Sequence, residues 1–206
     1  MPLIRSAITP EATAEAPELR RDQLASHDAD ERRRAARALS GDPAAASVLA
    51  ERLAEEPDPR VRDALFGSLT DIGGTRAAEL LAPFIRSDDA GLRGGAIEAL
   101  KHLESDAVSV LDALMSDPDT DVRILAIEIT RAWPGDLAMP RLRRVFEHEP
   151  HVNVCAAAVD VATEVGTNEL LAALGGLRVR FASEPFLVFA VDIACDRIHG
   201  NNALGT

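Results

Sequence analysis

Along this chain Leu, Val, Ile and Ala recur every three to four positions in short runs broken by Pro, Gly and Asp. Val61, Leu65, Leu69 and Ile72 fall at i, i+4, i+8 and i+11, and Val122, Leu125, Ala126 and Ile129 keep the same period. That spacing draws one apolar stripe down an α-helix. Helix starts are marked by Asp58-Pro59, Asp117-Pro118, Glu149-Pro150 and Glu184-Pro185, an acid beside a proline tolerated in the first turn. Gly41, Gly73-Gly74, Pro134-Gly135 and Gly166 mark the stops. A second set of striped segments lies between: Ala44–Glu55, Arg76–Arg86, Ala107–Met115, Leu137–Phe146 and Glu169–Val179, with Leu19–Ser26 supplying the first.

The first set repeats. DADERRRAARAL, DPRVRDALFGSL, DAGLRGGAIEAL and DTDVRILAIEIT align on Arg32, Arg62, Arg93 and Arg123. HVNVCAAAVDVA and SEPFLVFAVDIA extend the series, with Cys155 and Leu187 at the arginine position, and the period stays within 30 to 32 residues. A helical pair of this length cannot bury its apolar face alone, so neighbouring pairs must stack. The expected fold is all-α: a right-handed α-solenoid of about six helix pairs, about twelve helices, without strands. Leu65, Leu69, Leu100 and Ile129 belong in its core. Residues 1–16 read as a flexible tail, 17–199 as the repeat domain and 200–206 as a frayed end.

The D-x-x-V-R-x-x-A-x-E-A-L pattern resembles the HEAT repeat, in the short version of phycobilisome-lyase-type HEAT-like proteins. DPRVRDALFGSL and DTDVRILAIEIT carry it most fully, and the resemblance runs from about Glu18 to His199. It implies a scaffold or protein-binding module. Some members of that family attach bilin chromophores to phycobiliproteins, so a lyase-like or chromophore-chaperone role is the alternative. A distant helical-repeat branch excises alkylated DNA bases.

Asp28/Arg32, Asp58/Arg62, Asp89/Arg93 and Asp119/Arg123 are i, i+4 pairs with the acid first. Stacking should bring each arginine near a neighbouring aspartate, a structural ladder that stops at His151/Cys155. Apolar packing by Phe186, Val188, Phe189 and Ile193 is expected to hold the last copies instead. Positions one, five, eight and nine after each arginine lie opposite the apolar stripe, on the arc that should line the concave surface. They place Glu98, Lys101, Ile124, Glu128, Arg131, Asp160, Glu164, Val188, Asp192 and Asp196 there as candidate partner-binding residues. Glu98, Glu128, Asp160 and Asp192 form a row of carboxylates. Arg20, Arg21, Arg32, Arg33, Arg34 and Arg37 make the opposite end basic, as a polar cap.

Composition narrows the chemistry. Lys+Arg is 22 against Asp+Glu 34, a formal net charge of -12. That disfavours nucleic acid, which needs cations to neutralise phosphates, and suits a protein or peptide with basic residues. The single Trp and absent Tyr leave little for base stacking. Two cysteines exclude a disulfide scaffold; with no signal peptide or membrane span legible, the expectation is a cytoplasmic, soluble chain. Cys155 should be buried and inert. His148-Glu149-Pro150-His151 lacks the spacing of a zinc-protease motif, and no catalytic, metal or cofactor motif is expected. Gly73-Gly74, Gly94-Gly95 and Gly175-Gly176 read as turns and close helix contacts, and Trp133 as packing at a helix end.

Overall fold

A computed structural model describes residues 21–203. The expected tail of residues 1–16 and most of the Leu19–Ser26 helix lie outside them, although residues 21–23 are helical. Eleven α-helices follow among the described residues, with no strand: α1 (Ala29–Ala38), α2 (Ala46–Glu55), α3 (Pro59–Ile72), α4 (Gly74–Leu81), α5 (Ala90–Leu103), α6 (Val108–Leu114), α7 (Thr120–Ile129), α8 (Gly135–His148), α9 (Val152–Val165), α10 (Leu171–Arg180) and α11 (Pro185–Ala203). Short 3₁₀ segments such as Ala82–Arg86 and Glu104–Ala107 bend the outer members. None of the described helices is long and apolar enough to cross a membrane.

The odd-numbered helices form one layer, each packed on the next from α1 to α11. The even-numbered helices lie against them as a second layer. The result is an α-solenoid. Its core runs between the layers: Leu65, Leu69 and Ile129 have no exposed surface and Leu100 almost none. With few aromatics available, Ala36, Ala77, Ala78, Ala96, Ala126, Ala158 and Ala162 let backbones approach closely. Gly95 goes further. A Cβ there would sit 2.2 Å from the Phe66 ring, so this glycine lets Phe66 of α3 lie across α5, edge-on to Phe84 at 6.3 Å between centroids. Gly73 and Gly74 adopt positive φ and turn the chain between α3 and α4. Gly175 and Gly176, expected at a turn or close contact, instead sit inside α10 facing open space.

The ends of the array differ. Arg33, Arg34 and Arg37 give α1 a charged face. At the other end Leu187, Val191, Ala194 and Ile198 are the buried stripe of α11. Phe186, Phe189 and Ile193, expected to pack the last copies, are 77%, 63% and 46% exposed. Val188 is half-buried.

Candidate functional site

Each inner helix is set by a repeated turn. Asp28, Asp58, Asp89 and Asp119 cap α1, α3, α5 and α7, each accepting a backbone N–H two residues on. The cap's own N–H donates to the side chain two residues upstream: Ser26, Glu56, Ser87, Asp117 and, before His151, Glu149. Asp117-Pro118 and Glu149-Pro150, expected to open helices, therefore belong to this turn; α7 and α9 start two residues after each proline. The arginine four residues after the cap closes the turn from inside. Arg32 and Arg93 donate to the carbonyls of Ser26 and Ser87, Arg62 to that of Glu56 and Arg123 to that of Asp117. At the fifth turn the Cys155 thiol approaches the Glu149 carbonyl, and Arg180 of α10 donates to the same oxygen at 2.7 Å.

The ladder exists with other partners than the i, i+4 aspartates. No ion pair forms within Asp28/Arg32, Asp58/Arg62, Asp89/Arg93 or Asp119/Arg123, because each aspartate is turned onto the helix start. Instead Arg32 reaches Glu56 at 2.7 Å, Arg62 reaches Asp89 at 2.7 Å and Arg123 reaches Glu149 at 3.0 Å, each in the turn of a following copy. Arg93 makes no such link. The Asp117 that it would meet is held by Arg86, from the outer layer. Glu56 is fully buried and accepts from Arg32, Arg52 and the Asp58 N–H. Burial pushes its carboxyl up, but those hydrogen bonds outweigh it and hold the group at about 2.

The exposed face of the inner layer carries the candidate binding residues. Between α1 and α3 a cleft of about 370 Å³ is lined by Arg37, Ser40, Asp63, Gly67 and Asp71. Between α3 and α5 one of about 410 Å³ holds Asp63, Gly67, Gly94, Glu98 and His102. The carboxylates farther along are largely engaged. Glu98 pairs with Lys101 at 2.8 Å. Arg131 is clamped by Glu128, Asp160 and Glu164 at 3.0, 2.8 and 2.5 Å. Desolvation lowers the Arg131 pKa, but hydrogen bonds to the three carboxylates outweigh it and raise it. Three acids and one arginine leave this cluster about two charges negative.

The sixth copy is displaced by one residue from its sequence alignment. The arginine-position amide donates to the cap carbonyl in every copy: Arg32 to Asp28, Arg62 to Asp58, Arg93 to Asp89, Arg123 to Asp119, Cys155 to His151 and Val188 to Glu184. Val188, not Leu187, therefore stands at the arginine position. The alignment followed the AVDIA match to AAVDVA, whereas the Glu184-Pro185 start gave the true register. Position five is then Ile193, and position one Phe189. Asp192 leaves the carboxylate row, and it pairs with Arg178 of α10 at 2.8 Å. Asp196 stays exposed, at position eight. Glu98, Glu128 and Asp160 remain in register, followed by an apolar surface.

Cys155 is buried, and its thiol is pushed up to about 11, chiefly by desolvation. Cys195 is half-buried, and burial raises its thiol as well. His148 ends α8 and His151 precedes α9. Trp133 is buried, donates to the Leu100 carbonyl at 3.3 Å and lies under the Arg141 guanidinium. Among the described residues no three metal-type side chains converge.

Residues 17–101 match the family of HEAT repeats. No curated protein matches the chain. Among solved structures, an engineered protein aligns at 17% identity over 89% of this chain and 96% of its own, with a TM-score of 0.41. A designed armadillo repeat protein aligns at 18% identity over 89% of this chain and 100% of its own, with a TM-score of 0.40. The complex of CpcE and CpcF of phycocyanin lyase from Nostoc sp. PCC7120 aligns at 19% identity over 96% and 99%, with a TM-score of 0.34. Residues 17–101 thus match HEAT repeats, and the later helix pairs continue the same two-layer stack.

Proposed function

We propose that this protein is a non-catalytic scaffold or adaptor that binds a protein or peptide on the exposed face of its inner layer. The observation that carries the reading is the continuity of that face. It passes from Arg37 through the clefts at Asp63, Gly67 and Glu98 to the Arg131 cluster, and on to Asp196. Adjacent inner helices lie about 8–10 Å apart, so one extended or helical ligand spans several copies. Partly neutralised carboxylates favour a partner carrying basic residues. Each exposed pair contributes about 0–1 kcal/mol, so neighbouring apolar positions such as Ile124 must add to the affinity.

The test is capture of a partner from the native organism, followed by hydrogen exchange on the complex. Protection is expected on α3, α5, α7 and α9, and binding should weaken as salt rises, because exposed charges are screened within about 8–10 Å. Protection confined to the outer helices α2, α4, α6 and α8 would overturn the proposal. So would unchanged affinity in a folded Glu98→Lys, Asp160→Lys, Glu164→Lys variant.

A further inference from the structure

Two of the ladder arginines hold their carboxylate in the same way. Arg32 and Arg123 each turn Nη1 onto a carbonyl of their own turn, that of Ser26 or Asp117, and offer the Nε–Nη2 edge to one glutamate. Glu56 meets that edge at 2.8 and 2.7 Å, and Glu149 meets it at 3.0 Å on both nitrogens. This is the two-pronged contact that a guanidinium and a carboxylate favour. Arg93 repeats only the first half. Its Nη1 donates to the Ser87 carbonyl at 2.7 Å, which orients the fork, but no described residue meets its Nε–Nη2 edge. Asp117 stands where Glu56 and Glu149 stand in their turns, two residues before the cap. It is one methylene shorter, its Oδ1 accepts the Asp119 N–H at 3.0 Å, and its Oδ2 is taken by Arg86.

Arg93 is half-buried and lines a cleft of about 520 Å³ between the third turn and the start of α7. Ile85, Val122, Ile124 and Leu125 give that cleft an apolar wall. Asp88, Asp119 and Asp121 also line it, all exposed and none in an ion pair among the described residues. We propose that the cleft anchors a glutamate side chain of a peptide partner, held on the Nε–Nη2 edge of Arg93 as Glu56 and Glu149 are held on Arg32 and Arg123. The lining selects the neighbours of that glutamate. The apolar wall takes an aliphatic residue beside it. The three aspartates repel a free small acid or a wholly acidic peptide, and basic side chains on either flank offset them. The ligand is therefore a basic segment with one acid set in it. The proposal rests on the scaffold reading for the basic character of the partner, and adds one required acid at a defined place. Because the Ser87 carbonyl already orients the fork, little side-chain freedom is lost on binding.

The probes are acetyl-Lys-Leu-Glu-Leu-Lys-amide and the same peptide with Gln in place of Glu. Each is titrated into the full 206-residue chain labelled with ¹⁵N-arginine, and the Arg93 Nε–H signal is identified by its loss in Arg93→Lys. The Glu peptide should move that signal saturably and bind about five- to tenfold more tightly than the Gln peptide. Lysine keeps a cation and a donor for the Ser87 carbonyl but lacks the planar edge. Fluorescence anisotropy of dye-labelled peptides should therefore show the preference for Glu largely lost in Arg93→Lys. An Arg93 signal unmoved by the Glu peptide up to about 5 mM, past the range of a weak specific contact, overturns the proposal. Equal affinity for the two peptides, or an undiminished preference in Arg93→Lys, overturns it as well. The Gln peptide keeps both lysines, so movement of the Arg131 Nε–H signal reports separately on the acidic cluster of the inner face. A silent Arg93 beside a responsive Arg131 leaves the scaffold reading standing, and the converse leaves the anchor.

Discussion

Glu56→Gln removes one charge from the joint between the first two copies and keeps the side chain's shape. In the folded protein both carboxylate oxygens are fully engaged: Arg32 Nε and Nη2 donate at 2.8 and 2.7 Å, Arg52 Nε at 2.9 Å and the Asp58 N–H at 2.9 Å. Glutamine turns an NH₂ group toward guanidinium donors and leaves the nearly buried Arg32 without its paired carboxylate. The depression of the carboxyl from 4.5 to about 2 means that the charged form is favoured by roughly 3 kcal/mol over the neutral one, which glutamine imitates. Breaking a buried pair by removing one member costs a similar about 3–5 kcal/mol. For a chain of this size the expected fall in melting temperature is about 6–12 °C. The pH dependence has a fixed sign. Because folding depresses this pKa, its contribution is complete above about pH 4.5 and fades as pH falls toward 2. Denaturant titrations of both proteins across that window should therefore converge at the acid end. A loss below about 1 kcal/mol at pH 7, or a difference that stays constant from pH 5 to pH 2, would refute the reasoning.

Two further outcomes are expected. Gly95→Ala forces a Cβ into the Phe66 ring and should cost about 1–3 kcal/mol in chemical denaturation, while Gly94→Ala, facing open space, should not destabilise; equal effects would contradict the close approach. Arg180→Ala removes donors to the Phe146 and Glu149 carbonyls and should cost about 1.5–3 kcal/mol, against under about 1 kcal/mol for Arg178→Ala at an exposed pair, both read as shifts in thermal melting.

Much of the fold was legible because it depends on local periodicity. The stripes through Leu65 and Leu69, the repeated Asp caps and the constant spacing each imply helices that must stack. The ladder's partners were harder to read. An aspartate at an N-cap is committed to the helix start, so its i+4 arginine turns to the carbonyl upstream and the carboxylate of the next turn. Glu149 is an acid two residues before a cap, but the Pro150 between them suggested a helix start instead. Arg180 had no such signal: it reaches the fifth turn from 31 residues beyond Glu149, and only packing brings it there. The displaced register of α11 follows the same lesson. Apolar matching favoured one alignment, and the cap geometry at Glu184-Pro185 decided for another. That single step exchanged Val188 and Asp192 for Phe189 and Ile193 at positions one and five of the exposed face.

The Arg86–Asp117 link carries a mechanical consequence. At the joint between α5 and α7 the cross-tie comes from the outer layer, and Trp133 fastens the far end of α5 through the Leu100 carbonyl. The near end holds a cleft of about 520 Å³ beside Arg93, Asp119 and Ile124, with no arginine from α5 bridging it. In a linear array, stiffness is set joint by joint, because each unit touches only its neighbours. This joint is therefore tied at its near end through the outer layer, where the joints after the first, second and fourth copies are tied by an arginine of the inner layer.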